Sequence, residues 1–598
     1  MKRVLLIAVN AKYIHSNPAV YSLKAYAQDR LGDLDAQIEI AEYTINQNTE
    51  NILADIYRRK PDIAAFSCYI WNWNTIQELL PEIPKLLPDT KLWLGGPEVS
   101  FDAEKILKQH SYLDGIMVGE GEQTFTDLVR FYETNEGSLT DIKGLVLPAG
   151  RTQERELTDM STLPFLYENL DRFTNRIIYY ESQRGCPFRC AYCLSAIDKS
   201  VRLRDLETVK KELQFFLDNK VPQVKFIDRT FNCNEAHALA IWKYLLENDN
   251  GVTNFHFEIA ADLMTQEELD VIKQMRPGLI QLEIGVQSTN EKTLHAINRY
   301  MSLQHLQQVV DTIHSFHNIH QHLDLIAGLP YEDYDSFVTS FNNVYAMKPQ
   351  QLQLGFLKVL KGSPIEERAE EYGIVYNDRP PYEVLYSKWL PYDDVLRLKG
   401  IEEMVELYYN SCQFTHTLPV LEKEFPSAFA MYEALSDYYE ENGYYINTPA
   451  RAYRYQVLLE FAAQTAPDKK DLFAQLLTFD MYLRENLKSR PAFAPEWKQS
   501  EEEKEEIRAF YRQEAQTPHY LTGYEGYQPQ QLMKMTHIEK FTYPVWQPAE
   551  EMHPLQTAVK VLFDYQKRDP LTYDAAFELI NNCETHSAFH ILTEFRKR

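Results

Sequence analysis

The first 150 residues alternate short apolar runs with amphipathic segments. The apolar runs predict buried β-strands, and the segments between them carry apolar residues at helical spacing. Short, nearly continuous apolar strands joined by helical crossovers indicate a doubly wound parallel sheet, whose ligands bind beyond the carboxyl ends of the strands. The predicted strands are residues 4–9, 38–43, 63–68, 91–94 and 115–118, and the predicted helices are residues 18–28, 49–59 and 74–87.

A second alternation of strands and helices begins at residue 177, after a polar linker at residues 151–176. Six strands with helices between them predict an open, partial (β/α)6 barrel similar to a TIM barrel, over residues 177–375. The active site of such a barrel lies at the C-terminal ends of its strands. The predicted strands are residues 177–183, 223–228, 254–260, 279–286, 320–327 and 353–360. The predicted helices are residues 205–219, 234–247, 265–275, 303–316 and 336–347.

Helical periodicity dominates residues 376–598, where glycine becomes scarce. The pattern predicts a mainly α-helical C-terminal domain, and the alternation at residues 540–546 would suit a small hairpin. Its many tyrosines fit a helix–helix core, or alternatively a lid over a substrate cavity. The predicted helices are residues 395–409, 428–441, 450–461, 470–486, 501–515 and 574–581.

Composition narrows the class of protein. The hydrophobic fraction of 44% supports large cores, and no apolar run approaches the length of about 20 residues that spans a bilayer. The net charge of −26 argues against a nucleic-acid partner. Seven cysteines, three of them in one loop, do not form a disulfide framework. We therefore expect a cytoplasmic protein with no membrane partner.

Three of the cysteines, Cys186, Cys190 and Cys193, follow the first predicted strand of the barrel. Three thiolates in so tight a loop suit an iron–sulfur cubane, in which one iron would remain open for chemistry. A zinc loop is the alternative, but zinc usually has a fourth Cys or His nearby in sequence. The next cysteine is Cys233, which we interpret as a packed thiol rather than a fourth ligand.

This stretch, Arg184 to Cys193, resembles the signature of radical S-adenosylmethionine (SAM) enzymes. In that family the open iron of a [4Fe-4S] cluster binds SAM. One electron from an external donor of the flavodoxin or ferredoxin type then cleaves SAM to methionine and a 5′-deoxyadenosyl radical. The resemblance implies that the three cysteines ligate the cluster. It also implies that the following residues contact SAM: Tyr192, Asp228, Glu258, Glu283, Gln287 and Gly328. Glu258 and Glu283 have an alternative role in structural ion pairs.

Loops of residues 1–150 resemble those of the Rossmann-like cobalamin-binding domain that is fused to one class of radical SAM enzymes. Gly95-Gly96-Pro97 and Gly119-Glu120-Gly121-Glu122 carry the resemblance, but the Asp-x-His-x-x-Gly motif that supplies a histidine to cobalt is absent. An alternative is a degenerate Rossmann-like cap without a cofactor. The residues that the resemblance assigns to cobalamin are His15, Ser67, Trp71, Gly95, Gly96, Gly119, Glu120 and Gly121. For His15 the alternative is an ordinary polar loop residue.

The C-terminal region resembles the uncharacterised helical domain (DUF4080-like) of one subgroup of these cobalamin-dependent proteins. The whole chain therefore resembles a cobalamin-dependent radical SAM enzyme, and the resemblance implies methylation of an unactivated carbon on an unknown substrate. A non-methylating cyclisation, rearrangement or oxidation is the alternative. A tRNA methylthiotransferase is a remote alternative, because residues 1–150 contain one cysteine, Cys68, instead of the three that a second cluster needs. An iron–sulfur protein that only transfers electrons is a further remote alternative.

Overall fold

The computed structural model describes residues 2–32, 34, 36–547 and 552–580 of the 598-residue chain. The chain divides into two compact units. The first unit comprises residues 1–349 and 353–396, and the second comprises residues 350–352 and 397–598.

The first unit begins with a seven-stranded sheet in which the first five strands are parallel. Strand Arg3–Asn10 lies inside the sheet between the second and third strands, and seven of its eight residues are buried. Its burial on both faces explains its continuous apolar run. In chain order the strands are Arg3–Asn10, Gln37–Thr44, Ile63–Ser67, Lys91–Gly95, Gly115–Met117, Leu145–Leu147 and Gly150–Arg151. The helices are Pro18–Leu31, Thr49–Arg59, Trp73–Leu79, Ile83–Leu86, Pro97–Ser100, Ala103–Gln109 and Gly121–Thr134.

Two features of this sheet differ from the prediction. Helix 74–87 is divided into Trp73–Leu79 and Ile83–Leu86, because Pro81 and Pro84 lack the backbone N–H that a continuous helix requires. The two short antiparallel strands at the edge, Leu145–Leu147 and Gly150–Arg151, were not predicted. Strands of two or three residues are too short to show a periodic pattern.

The second sheet of this unit is the predicted open barrel, and its six strands lie side by side in chain order. Apolar residues on alternate positions face the surrounding helices, so the remaining positions face the barrel interior. The strands are Ile178–Tyr180, Gln223–Phe226, Asn254–Ile259, Ile280–Gln287, His320–Ala327 and Gln351–Phe356. The helices are Leu206–Asp218, Glu235–Glu247, Gln266–Ile272, Glu291–Ala296, Leu303–Phe316 and Tyr334–Ala346. Short elements follow at Pro364–Glu367, Ala369–Tyr372, Val375–Tyr376 and Val384–Tyr386.

The C-terminal region is mainly helical, as predicted, and also contains a three-stranded antiparallel sheet. Its helices are Tyr392–Met404, Val405–Asn410, Thr417–Leu421, Ala428–Glu441, Arg451–Thr465, Lys470–Arg484, Glu501–Gln516 and Pro529–Met535. Helix Lys470–Arg484 is the centre of this unit, because twelve of its fifteen residues are buried. No helix within the described ranges is long and apolar enough to cross a bilayer.

Two predictions for this region were wrong. The segment predicted as helix 574–581 forms strand Ala575–Ile580, and residue 581 lies outside the described residues. The predicted local hairpin at 540–546 is instead strand Thr536–Phe541, whose partner is the distant strand Val559–Arg568. Pairing over such a separation leaves no local turn signal in the sequence.

Candidate functional site

The three cysteines lie in a loop that is fixed by main-chain hydrogen bonds at the C-terminal end of the first barrel strand. The N–H of Cys186 donates to the Asp198 carbonyl (3.1 Å), and the N–H of Ala191 donates to the Ile297 carbonyl (2.8 Å). Cys186 and Cys190 are buried, Cys193 is partly exposed, and all three are free thiols. The loop therefore lies at the strand end where the radical SAM resemblance places it, and ligation of a cluster by the three cysteines stays a prediction.

Gly185, directly before the first cysteine, is needed for this loop. Its φ is +94°, and a Cβ there would lie 2.0 Å from the Ser200 carbonyl oxygen. Only glycine combines this backbone conformation with such a close approach.

The three sulfur atoms are not grouped as closely as the ligands of a single zinc ion. Among the described residues, the trio is not one of the groups of ligand atoms that lie within 4.8 Å of one another. A single tetrahedral zinc would hold its sulfurs closer than that, since each Zn–S bond is about 2.3 Å. Burial raises the pKa of the Cys186 thiol, and negative charge on Cys190 and Cys193 raises it further. Negative charge on the three sulfurs would therefore need a nearby cation, which the irons of a bound cubane would supply.

Arg299 is a residue of this site that the sequence did not reveal. Its Nη1 lies 3.8 Å from the Cys190 sulfur, and its other Nη donates to the Gly285 carbonyl. Tyr192 packs partly buried beside the loop, and burial raises the pKa of its hydroxyl strongly. A guanidinium beside a thiolate stabilises negative charge on the sulfur. No local motif marks Arg299, since it follows helix Glu291–Ala296 in an ordinary loop.

Asp228, a predicted SAM contact, lies fully buried beneath the cysteine loop. Its carboxylate accepts hydrogen bonds from Ser182 N (2.8 Å), Ser182 Oγ (2.5 Å) and Gln183 N (3.1 Å). Burial raises the pKa of Asp228 to about 8, although these hydrogen bonds oppose the shift. The structure thus shows Asp228 supporting the turn before the cysteines, and a direct contact with SAM stays a prediction.

Glu258 and Glu283 are neighbours on adjacent strands and face the barrel interior. Burial and the negative charge of Glu283 raise the pKa of Glu258 to about 7. Burial alone would also raise the pKa of Glu283, but His256 and Lys225 lower it to about 2. Lys225 Nζ lies 3.0 Å from the Glu283 carboxylate, so Glu283 takes part in the ion pair that was its alternative role.

The other two predicted SAM contacts lie at strand ends. Gln287 is buried with φ +73°, and its Oε1 has no hydrogen-bond partner. A buried amide oxygen without a partner is available to a ligand. Gly328 has φ +87°, and a Cβ there would lie 2.7 Å from Val384. The space beside Gly328 is thus filled by the Val384 side chain. A contact between Gly328 and the adenine of SAM stays a prediction.

Six of the eight residues assigned to cobalamin line a cavity of about 900 Å³. The same cavity is lined by Arg184, Gly185 and Asp198, which flank the cysteine loop. The strand ends of the N-terminal sheet therefore face the start of the cysteine loop across one space. The six residues are Ser67, Gly95, Gly96, Gly119, Glu120 and Gly121.

His15 and Trp71 are not among the residues that line this cavity. His15 Nδ1 lies 2.6 Å from the Tyr179 hydroxyl, so its ring is bound to the first barrel strand. Trp71 is 44% exposed and stacks on Tyr69 with ring centroids 4.3 Å apart. The contacts of His15 and Trp71 with cobalamin therefore stay predictions.

Charged groups join the N-terminal sheet to the cysteine loop. Glu120 forms ion pairs with Arg202 (2.7 Å) and Arg184 (3.4 Å), and Glu122 pairs with Arg184 (3.0 Å). Burial opposes the charged form of Glu120, but Arg202 and Arg184 lower its pKa to about 2. The Gly-Glu-Gly-Glu loop thus contacts the barrel as well as the cavity.

A second junction lies after strand four of the N-terminal sheet. Buried Glu98 accepts a hydrogen bond from the Tyr382 hydroxyl and lies 3.1 Å from Lys361 Nζ. Lys361 also pairs with Asp102 at 3.2 Å. The N-terminal sheet is therefore fixed to residues near both ends of the barrel sequence.

Comparison with protein families gives three matches along the chain. A B12-binding domain matches residues 4–129, and the radical SAM superfamily matches residues 180–344. Residues 370–563 match a family described as a protein of unknown function, DUF4080. The three matches follow one another in the predicted order.

Curated proteins and solved structures show similar combinations. The chain is 25% identical over 427 residues to the cobalamin-dependent radical SAM methyltransferase TokK of Streptomyces tokunonensis, covering 64% of this chain and 62% of TokK. It is 24% identical to 2-(S-pantetheinyl)-carbapenam-3-carboxylate methyltransferase of Streptantibioticus cattleyicolor, covering 63% and 61% of the two chains. The chain thus spans about three fifths of the length of these relatives.

Two solved structures share the fold. The cobalamin-dependent SAM radical enzyme OxsB aligns with a TM-score of 0.58 at 15% identity, over 82% of each chain. The radical SAM methyltransferase TsrM of Kitasatospora setae aligns with a TM-score of 0.54 at 16% identity, over 64% of this chain and 78% of TsrM.

Proposed function

We propose a function from the premise that this chain is a B12-binding-domain protein of the radical SAM superfamily with a C-terminal DUF4080 region. The protein is a cobalamin-dependent enzyme that methylates an unactivated carbon. One observation carries the proposal: loops of the B12-binding domain and the flanks of the three-cysteine loop line the same cavity of about 900 Å³. A shared cavity lets two cofactors act on one substrate.

The bound groups would supply reductive cleavage of SAM at the cluster and methyl transfer at the corrin. The residues of this chain would hold those groups. Cys186, Cys190 and Cys193 would ligate the cluster, and Arg299 would stabilise the charge on Cys190. Gly119, whose Cβ position has no atom within 4 Å, would allow the corrin to approach the main chain closely.

The cavity walls would also control what reaches the site. The ion pairs of Arg184 with Glu120 and Glu122 would keep the B12-binding domain against the cysteine loop. A fixed junction excludes water and oxygen from reactive intermediates better than a mobile one. The partners implied are SAM, an organic substrate and an external electron donor.

An anaerobic reconstitution tests the proposal. The full chain is supplied with iron, sulfide and hydroxocobalamin, desalted, and then given SAM and a reductant. We expect about four irons per chain in the cluster, about one corrin, and formation of 5′-deoxyadenosine. Methylation predicts S-adenosylhomocysteine as well, whereas a non-methylating reaction predicts 5′-deoxyadenosine alone.

The matched variants are Cys186→Ala, Cys190→Ala and Cys193→Ala, with Cys412→Ala as the control because Cys412 belongs to the second unit. The three loop variants should lose iron and 5′-deoxyadenosine, and the control should keep both. Failure of the wild-type chain to retain corrin would reject the cobalamin part of the proposal. Cleavage of SAM by the loop variants would reject the cluster part.

A further inference from the structure

The interior of the barrel contains a polar cluster to which the proposed function gives no role, apart from the contact with SAM expected of Glu283. His256, Glu283, His322 and Asp324 come from three adjacent strands and share the interior face of the sheet. Both histidines are more than nine-tenths buried. Two imidazoles and two carboxylates in a buried interior require an explanation, because each is costly to bury without partners.

The ligand atoms of this cluster lie close enough to share one ion. One atom from each of Glu283, His322 and Asp324 falls within 4.8 Å of the other two, and within the described residues this is the group that meets that condition. His322 Nε2 is 2.9 Å from Asp324 Oδ1, and His256 Nε2 is 3.0 Å from Glu283 Oε2.

These short distances are not well-directed hydrogen bonds. The Nε2 atoms of His256 and His322 and the Oδ1 of Asp324 are all buried without a hydrogen-bond partner. Ligands of one metal ion contact each other in this way, since bonds of about 2.1 Å place neighbouring ligand atoms about 3 Å apart.

We propose that Glu283, His322 and Asp324 bind one divalent transition-metal ion of the Zn²⁺ or Fe²⁺ type inside the barrel, with His256 beside it. Mixed imidazole and carboxylate ligands suit these ions. Three protein ligands leave a position for water or for an oxygen atom of a bound molecule. The side chains of Glu283 and Asp324 keep 21% and 18% of their surface accessible, so an ion can reach them. The site does not depend on the proposed methyl transfer.

Lys225 is the competing partner in this cluster. Its Nζ lies 3.0 Å from Glu283 Oε2, the oxygen that also faces His256. An ammonium opposes a nearby dication, so the metal would use the other oxygen of Glu283. Without a metal, Lys225 and a charged imidazole would balance the two carboxylates, and this ion-pair network is the alternative that the experiment must separate.

The test uses the full chain with Cys186, Cys190 and Cys193 all replaced by alanine, so that no cluster iron contributes. Co²⁺ is the probe, titrated anaerobically and followed by its visible d–d absorption and by equilibrium dialysis. We expect one Co²⁺ per chain with a spectrum that lacks sulfur-to-cobalt charge transfer.

In that background, Asp324→Asn and His322→Gln should each weaken Co²⁺ binding at least tenfold, and Lys225→Met should tighten it. Glu268→Gln is the matched control, because Glu268 is a fully buried carboxylate in the capping box of helix Gln266–Ile272. Circular dichroism verifies that each variant is folded, and the isosteric Asp324→Asn decides the outcome if His322→Gln unfolds. Absence of stoichiometric Co²⁺ binding, or binding that survives Asp324→Asn unchanged, would overturn the metal site in favour of the ion-pair network.

Discussion

Two glycines beside the cavity share a positive φ but differ in their surroundings. Gly96 has φ +107°, and a Cβ there would lie 2.4 Å from the Cys68 carbonyl oxygen. Gly119 has φ +77° and no atom within 4 Å of the same position. Gly119→Ala should cost about 1 kcal/mol of unfolding free energy from backbone strain alone. Gly96→Ala should cost about 3 kcal/mol or more, because a backbone oxygen must also move.

Urea denaturation of the cofactor-free protein measures this difference. If Gly119 also faces the corrin, Gly119→Ala should reduce corrin retention while leaving the cofactor-free protein nearly as stable as wild type. Equal stabilities for the two variants would show that the backbone at Gly96 relaxes freely.

Buried Glu332 predicts a pH dependence of stability. Ser288 and Ser340 donate to its Oε1 at 2.7 and 2.9 Å, but Oε2 has no partner and burial raises the pKa of the carboxyl to about 7. Because the folded pKa lies above the ordinary value of 4.5, the contribution to stability is complete below pH 4.5 and is lost as the pH rises to about 7. The loss is on the order of 3 kcal/mol.

Glu332→Gln should remove this part of the pH profile, as measured by urea midpoints between pH 5 and pH 8. Glu267→Gln, whose side chain is largely exposed, is the control and should leave the profile unchanged. If the urea midpoint changed with pH equally in wild type and in Glu332→Gln, Glu332 would be excluded as the source of the pH dependence.

The individual site residues differ in how far the sequence could predict them. The three cysteines follow from spacing alone, because thiolates three and four residues apart must share a small volume. Arg299 could not be predicted, since its contact with Cys190 joins residues 109 positions apart. The placement of His15 depends on Tyr179, which is distant in the chain and carries no motif.

The cysteine loop is attached to the B12-binding domain through Arg184. This guanidinium is 19% exposed and lies 2.8–3.4 Å from Glu181, Glu122 and Glu120. Arg184→Met would leave the partly buried carboxylates of Glu122 and Glu181 without their shared cation, whereas Glu120 would keep Arg202. The free energy of unfolding should fall by about 3 kcal/mol, because uncompensated negative charge remains at a partly buried site.

The measurement is the denaturation midpoint of the reconstituted protein, together with its iron content. Arg151→Met is the matched control: Arg151 pairs with Glu104 at 3.0 Å, but both side chains are at least 40% exposed. Arg151→Met should lower the free energy of unfolding by less than about 1 kcal/mol. Similar losses in both variants would mean that Arg184 acts only as a surface charge.

Strands and helices were predictable where burial imposes a clear period. Helices Thr49–Arg59, Leu303–Phe316 and Ala428–Glu441 have the predicted bounds. The sheet of the C-terminal unit was missed, because strand Ala575–Ile580 is only partly buried and its apolar residues do not alternate. Its register is set by pairing with strand Val559–Arg568, which no local pattern contains.

At the scale of the whole molecule, the described residues that line the 900 Å³ cavity all belong to the first unit. Phe479, at the centre of the second unit, is fully buried among the rings of Phe541, Phe563 and Phe577 at 5.2–5.6 Å. Phe479→Ala should destabilise the second unit by about 4 kcal/mol and leave the corrin content unchanged.

Calorimetry measures the stability of the second unit, and the absorbance of bound corrin measures the corrin content. Tyr453→Ala is the control, because Tyr453 is 48% exposed and its loss should hardly affect either measurement. Loss of corrin in Phe479→Ala would show that the C-terminal region helps to form the cavity.

The contact between Glu98 and Tyr382 bears on where the chain can be shortened. Family matching would place a cut at residue 369, just before the DUF4080 match, but Tyr382 lies beyond that cut and belongs to the first unit. A fragment ending there would retain Glu98 in a buried site with Lys361 alone and without the covering phenol. Gene truncations meant to isolate the first unit should therefore end after residue 396. The DUF4080 match begins at residue 370, so it includes a segment that completes the unit with the B12-binding match.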